Sequence, residues 1–226
     1  MGLDQSLYRE VQLKGKMKIT DEKLDRVLGG ENMKPSVRHE VCYWRKFNAL
    51  HKYFDDHFNE QDNDNCVDMY MNIEDLEKLL GLVKKIKSEI KMGEGWVSNG
   101  GGYDIVDLDT TIKTLDGEKK AEKLEQGDLI EVKGQRAIVY SVRKDSRVHF
   151  GYNYQERGQT IINPEVCEEL PTEEGFFFGS TDYDEYYVGQ LDETIEQVGK
   201  VIEEHKELVK AGVAEHEIDY YYRAWY

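Results

Sequence analysis

Residues 37–58 read VRHEVCYWRKFNALHKYFDDHF and contain the change of pattern that decides the fold. In the first part of this stretch, apolar or aromatic residues alternate with polar ones, which is the two-residue period of a β-strand. From Trp44 onward the apolar residues recur at steps of three and four, which marks one face of an α-helix. They are Trp44, Phe47, Leu50, His51, Phe54 and Phe58. A strand followed at once by a helix predicts a mixed α and β architecture.

The segments on either side extend this pattern to a sheet with three helices. Strands are predicted near residues 3–12, 37–43, 175–180 and 217–225. Asn72 precedes a second apolar stripe and a third stripe runs from Leu191 to Val209, so two further helices are predicted there. We therefore predict an α+β fold in which residues 1–102 and 160–226 form an antiparallel sheet with three helices.

Residues 103–159 follow a different pattern, which predicts a small β-rich insert. Four short runs rich in β-branched and aromatic residues are separated by turns at Asp116-Gly117, Gly127-Asp128 and Lys133-Gly134. Such spacing is typical of an SH3-like barrel or a curled sheet. The Gly-rich stretch GEGWVSNGGGY at 93–103 is predicted to link the two units.

The negative charge is concentrated in the last quarter of the chain. The whole sequence has 46 acidic and 30 basic residues, a formal charge of −16. Residues 163–226 contain 17 acidic and 4 basic residues, a net charge of −13. A surface of that sign repels phosphate backbones, so we expect a basic protein partner and no direct binding of nucleic acid. The alternative is a solvated acidic helix face without a partner.

Several classes of protein are disfavoured by what the sequence lacks. It has no run of about 18 apolar residues, so no membrane-spanning helix is expected. The first residues, MGLDQSLYRE, contain no basic region followed by an apolar core, and the three cysteines form no CxxC pair. We therefore expect a cytoplasmic protein with reduced thiols. No metal-binding or cofactor-binding motif is recognised, so no cofactor is expected.

Aromatic residues crowd the C-terminal region and suggest a recognition surface. They include Tyr183, Tyr186, Tyr187, Tyr220, Tyr221, Tyr222, Trp225 and Tyr226. Tyr and Trp provide rigid contact area with a polar tip, which is typical of protein interfaces. The alternative is an aromatic layer that lines the core.

Four segments resemble a family of small phage-encoded proteins of unassigned function. They are MGLDQSLY at the start, YWRKFNALHKYF at 43–54, INPEV at 162–166 and LPTEEGFFFGSTDYDEYY at 170–187. In that family a YWRKxNxIHxWF-type helix and an LPTxxGFFFGxTxYDExY segment follow a similar start in this order. The resemblance covers about residues 1–90 and 160–226. Here His51 is followed by Lys-Tyr-Phe instead of the family's Trp-Phe ending.

The resemblance implies which residues belong to a shared site, although it assigns no chemistry to them. On the first helix it selects Trp44, Arg45, Lys46, Asn48 and His51. In the third segment it selects Thr172, Gly179, Tyr183, Asp184 and Glu185. The aromatic cluster adds Tyr187, Tyr222 and Trp225 as candidate binding residues.

The sequence is compatible with three functional hypotheses. The first is a phage-encoded binding protein that engages and inhibits a host or defence protein through its acidic, Tyr-rich surface, and that mimics nucleic-acid charge if its target binds nucleic acid. The second is a binder of a small nucleotide-like anion, held by Arg45, Lys46, His51 and aromatic rings. The third is a hydrolase that uses His51 with Asp184 or Glu185 for acid–base catalysis. The sequence does not indicate an oligomeric state.

Overall fold

The structure of the protein is a computed structural model that describes residues 2–13, 36–60, 65–175 and 178–226. Within these residues it contains three α-helices and two antiparallel sheets, which confirms the predicted α+β fold. The chain divides into two compact units. The first comprises Met1–Ile90, Pro164–Thr181 and Tyr186–Tyr226, and the second comprises Lys91–Asn163 and Asp182–Glu185.

The sheet of the first unit has four strands in the order β2-β1-β10-β3, so β2 and β3 lie at its edges. Its strands are β1 (Asp4–Gln12), β2 (Ser36–Arg45), β3 (Met69–Met71) and β10 (Ile218–Trp225). Every neighbouring pair is antiparallel. The strands predicted near 3–12, 37–43 and 217–225 are therefore confirmed.

The strand predicted at 175–180 is wrong for the residues described there. Gly175 and 178–180 belong to no strand, and the short strand β3 takes the place beside β10. Gly179 has a φ of +90°, a left-handed conformation that interrupts an extended chain. The backbone carbonyls of Phe178 and Ser180 accept hydrogen bonds from the Asn48 side chain instead of from a neighbouring strand.

Three helices pack their apolar stripes into the first unit. They are α1 (Asn48–Phe58), α2 (Ile73–Glu89) and α3 (Glu185–Lys210). The predicted cap of α2 is confirmed, because the Asn72 side chain accepts a hydrogen bond from the Asp75 backbone N–H at 3.0 Å. In α3 the buried stripe includes Leu191, Val198 and Ile202. Every helix within the described residues is too short or too rich in charged side chains to cross a bilayer.

Trp44 and Arg45 lie in strand β2 and not on the first helix as predicted. The chain turns at Lys46, whose φ of 57° is left-handed, and α1 begins only at Asn48. Two contacts fix this turn: the Lys46 N–H donates to the carbonyl of Leu3 at 2.7 Å, and the Phe47 N–H donates to the Gln5 side chain at 2.9 Å. The apolar spacing continues across the turn, so it could not show where the helix starts.

The second unit is built on a six-stranded antiparallel sheet in the order β4-β9-β8-β7-β5-β6. Its strands are β4 (Met92–Val106), β5 (Thr111–Thr114), β6 (Gly117–Lys120), β7 (Leu129–Val132), β8 (Gln135–Lys144) and β9 (Val148–Ile161). Its buried side chains form one cluster that includes Leu124, Ile130, Val139, Phe150 and Tyr152. This unit therefore has a hydrophobic core of its own, as the different sequence pattern indicated.

The Gly-rich stretch 93–103 is part of strand β4, so its interpretation as a linker is wrong. β4 pairs with β9 from Met92 to Val106, and the second unit accordingly begins at Lys91 instead of residue 103. Glycine is required here because neighbours come close: a Cβ at Gly95 would overlap the side chain of Thr160. Glycines inside a strand mark such close approaches as readily as they mark a break.

Candidate functional site

The first unit brings together several residues that the sequence selected, but it buries them. Asn48 is 2% exposed, and its amide donates to the carbonyls of Phe178 and Ser180 at 3.2 and 2.8 Å. Its side-chain oxygen accepts from the Glu173 backbone N–H at 3.2 Å. Asn48 thus fastens Glu173, Phe178 and Ser180 to helix α1, which is a structural role.

Trp44 and His51 are also core residues. The Trp44 indole N–H donates to the Thr194 hydroxyl at 3.0 Å, and the ring is 1% exposed. His51 is fully buried, with its Nδ1 3.1 Å from the Tyr222 hydroxyl and its ring against Phe178. A fully buried imidazole cannot reach a substrate or a bound anion at the surface. The nucleotide-binding and hydrolase hypotheses both depended on it, so the geometry does not favour them.

Sequence reasoning missed the side chain that ties these elements together, Gln5. It is fully buried, it donates to the Phe47 carbonyl at 3.1 Å and to the Tyr222 hydroxyl at 3.0 Å, and it accepts from the Phe47 N–H. Buried amides of this kind are expensive unless every polar atom finds a partner. A single polar residue in a strand pattern carries no signal of such a role, because its partners are distant in sequence.

The remaining candidates of the first unit lie nearer the surface. Arg45 and Lys46 are exposed, and Gly179 lies so close to Lys46 that a Cβ there would be 3.3 Å from the lysine Cβ. Thr172 is half-buried and donates to the carbonyl of Thr181 at 2.9 Å. Gly179 thus lies against the turn between β2 and α1, and Thr172 is held by Thr181.

Tyr183, Asp184 and Glu185 belong to the second unit. The Tyr183 carbonyl accepts from the Ile161 N–H and from the Thr160 hydroxyl, both at 2.8 Å, and Asp184 forms an isolated bridge with Thr160. Glu185 is exposed at the start of α3. These contacts attach Tyr183 and Asp184 to the end of strand β9.

The expected Tyr-rich docking face is not formed by the residues chosen for it. Tyr187 and Tyr222 are 3% and 0% exposed, and the Tyr187 hydroxyl donates to the carbonyl of Leu170 at 2.8 Å. Trp225 is half-buried at the end of β10, opposite Asp4. Among the C-terminal rings Tyr186 is exposed, at 49%. The alternating rings of β10 point inward because that face of the sheet lies on the core.

A concavity of the first unit lies between the edge strand β2 and helix α3. We call it the β2–α3 groove; its volume is about 580 Å³. It is lined by Arg9, His39, Glu40, Val41, Lys200, Val201, Glu204, Glu207, Leu208 and Ala211. None of these residues was selected from the sequence, because the groove joins segments about 160 residues apart and no local pattern links them.

One side of the groove is an incompletely paired sheet edge. At Tyr43 the side chain of Gln197 satisfies the outer edge of β2. The Tyr43 N–H donates to the Gln197 amide oxygen at 2.9 Å, and the Gln197 amide nitrogen donates to the Tyr43 carbonyl at 3.0 Å. Gln197 thus imitates a neighbouring strand for one residue. Farther along, Ser36–Glu40 are exposed, and within the described residues no strand lies outside β2.

The groove has two acidic side chains that are available to a basic ligand. Glu204 pairs with Arg9 at 2.9 Å and lies 3.8 Å from Lys200, so its charge is compensated. Glu40 accepts a hydrogen bond from the Ser6 hydroxyl at 2.6 Å, but neither it nor Glu207 forms an ion pair with any residue that the structure describes. Val41, Val201 and Leu208 add an apolar part to the lining.

Burial shifts the pKa of several titratable groups in the first unit. His205 is 5% exposed, and burial lowers the pKa of its ring, which lies 3.1 Å from the Tyr220 hydroxyl. Burial also raises the pKa of Tyr220 to about 12 and holds the pKa of the Cys42 thiol far above its usual range. In the described part of the chain, no three His, Cys, Asp or Glu side chains are grouped so that they could hold a metal ion.

Comparisons with known proteins add no assignment to this geometry. No family model, no curated protein and no solved structure matches the chain.

Proposed function

We propose that this protein is a binding protein that captures a basic, extended segment of a partner protein along the outer edge of β2. The observation that carries the proposal is the position of an exposed strand edge, Ser36–Glu40, beside the acidic β2–α3 groove. An exposed edge offers backbone N–H and C=O groups to an incoming strand, and natural proteins rarely leave one uncovered without a reason.

The lining of the groove indicates which side chains the segment would carry. Glu40 and Glu207 would pair with Lys or Arg, while Val41, Val201 and Leu208 would receive an apolar side chain. Side chains of a strand alternate between two faces. A segment in which basic and apolar residues alternate therefore satisfies the edge, the acids and the apolar lining together.

The charge of the whole chain supports a basic partner. Residues 163–226 have a net charge of −13, and this field would attract a basic surface and accelerate its association. If the basic segment of the partner normally contacts nucleic acid, Glu40 and Glu207 would occupy the place of phosphates and inhibit that contact.

The resemblance of four segments to phage-encoded proteins supports a location in the cytoplasm of an infected host. The partner would then be a host or defence protein that this chain inhibits by occupying its basic segment. The resemblance supports the location of the protein, whereas the lining of the groove supports a basic, partly apolar binding segment in the partner.

The proposal predicts charge-selective binding of an extended peptide. We expect a fluorescein-labelled ten-residue peptide of alternating Lys and Val to bind the full chain, and the matching Glu–Val peptide to show no binding at the same concentrations. Fluorescence anisotropy at 50 and 300 mM NaCl measures both affinities. Because the contacts include exposed charges, salt should weaken the Lys–Val complex about tenfold or more.

Two outcomes would contradict the proposal. Equal affinity for the Lys–Val and Glu–Val peptides would show that charge does not select the ligand. An affinity for the Lys–Val peptide that is unchanged between the two salt concentrations would show that Glu40 and Glu207 do not contribute.

A further inference from the structure

The outer face of strands β4, β9 and β8 in the second unit carries a set of exposed aromatic and arginine side chains. Paired residues of neighbouring strands lie on the same face, and Trp96 pairs with Arg157 while Tyr103 pairs with Gly151. On the opposite face, Val139, Phe150 and Tyr152 fill the core. The outer face is therefore separate from the buried core of this unit.

At one end of this face, an indole ring is stacked with two guanidinium groups. The Cζ atoms of Arg136 and Arg157 lie 4.2 and 4.4 Å from the centre of the Trp96 ring. Arg136 also donates to the Gln155 side chain at 2.9 Å, which fixes its orientation. Neither arginine forms an ion pair with a described residue. Beside them lies a groove of about 290 Å³, lined by Trp96, Arg136 and Tyr154 among others and by one acidic residue, Glu156.

Two more aromatic rings lie farther along the same face. Tyr103 and Tyr140 are 55% and 41% exposed. Gly151 lies beneath Tyr140, since a Cβ at this position would overlap the tyrosine ring. The missing side chain allows the ring to lie on the sheet. Tyr103 is held by a 3.0 Å contact between its hydroxyl and Nδ1 of His149.

We propose that this face binds single-stranded nucleic acid. Bases stack on exposed aromatic rings, and arginines stack on the same rings while they contact phosphates, a combination that non-specific single-strand binders use. From Arg157 to His149 the strand β9 spans about 26 Å at roughly 3.3 Å per residue. That length fits a short site of about four nucleotides, the lower end of the range for small β-barrel domains.

The acidic character of the whole chain does not oppose this proposal. The second unit, Lys91–Asn163 with Asp182–Glu185, contains 15 acidic and 11 basic residues, a net charge of −4, so most of the chain's charge of −16 belongs to the first unit. The proposal is independent of peptide capture at β2, because the two sites share no residue.

The test is a titration of a 5′-fluorescein (dT)10 oligonucleotide with the full chain at 50 mM NaCl, followed by anisotropy. Trp96→Leu should weaken binding at least fivefold, the low end of the effect of one lost base–aromatic stack. Arg136→Gln and Arg157→Gln should each weaken binding and reduce the slope of log K against log[salt] by about 0.7. Lys84→Gln, an equal charge change at an exposed position of α2, should leave binding within twofold.

Several results would overturn the proposal. They are no binding by the unmodified chain at 50 mM NaCl, equal losses for Lys84→Gln and the two arginine variants, or tighter binding of a poly-Glu peptide than of the oligonucleotide. Thermal melting of each variant shows whether it is folded, and if Trp96→Leu unfolds, the two arginine variants decide the question alone. A duplex of the same length should bind more weakly, because its bases are already stacked inside the helix.

Discussion

Trp44→Ala is expected to lower the free energy of unfolding by about 3–5 kcal/mol, the usual range for removing a large aromatic side chain from a core. The ring is 1% exposed, and its loss also leaves the buried Thr194 hydroxyl without the indole N–H. Since domains of this size have only about 5–15 kcal/mol of stability, the variant should unfold at a much lower urea concentration. Urea titration followed by circular dichroism measures the change.

The neighbouring residue provides a matched control. Tyr43 lies on the same strand with its ring on the other face, and it is 42% exposed. Tyr43→Ala should cost about 1 kcal/mol or less. If Trp44→Ala proved no more destabilising than Tyr43→Ala, Trp44 would be a surface residue in solution and its assignment to the core would be wrong.

Glu207→Lys should weaken binding of the Lys–Val peptide at least tenfold, which corresponds to about 1.4 kcal/mol. Glu207 lines the β2–α3 groove and forms no ion pair with a described residue, so the substitution places a positive charge where the peptide needs a negative one. Like charges brought together at an interface cost binding free energy. Anisotropy titrations at 50 mM NaCl measure the two affinities.

Glu196→Lys controls for the change in net charge. Glu196 is exposed on the same helix but does not line the groove. We expect its variant to bind within about threefold of the unmodified chain. Equal losses in the two variants would show that the total charge attracts the peptide and that the groove does not hold it.

The parts of the fold that follow local rules could be predicted from the sequence. Asn72 capped α2 as expected, and the apolar stripe of α3 is buried at Leu191, Val198 and Ile202. The alternation in 217–225 gave the strand β10 because one face of that strand lies on the core. In each case the signal was a period or a cap within one element, which does not depend on distant partners.

The errors occurred where distant contacts decide the structure. The apolar run at 175–180 has strand character, but the Asn48 side chain binds its carbonyls and Gly179 turns the chain. Trp44 continues a helical spacing, yet Gln5 fixes the turn that leaves it in a strand. Nothing in the sequence around Asn48 or Gln5 distinguishes these buried amides from amide side chains at the surface.

The candidate site was the least predictable part for the same reason. His51, for example, was chosen for its chemistry, but it is buried beside Tyr222, and no local sequence pattern reveals that contact. The β2–α3 groove is lined by residues that are far apart in the chain, such as Glu40 and Glu207. The sequence indicated an excess of acidic residues near the C-terminus, but it did not show where on the surface those residues would lie.

The most direct test of peptide capture is hydrogen exchange of the sheet's two edges with and without the Lys–Val peptide. The account predicts that the backbone amides of Ser36–Glu40 exchange more slowly in the complex, because a strand has been added outside β2. The amides of Met69–Met71, at the other edge, should exchange at the same rate in both states. Slower exchange at Met69–Met71, or unchanged exchange at Ser36–Glu40 with the peptide bound, would contradict it.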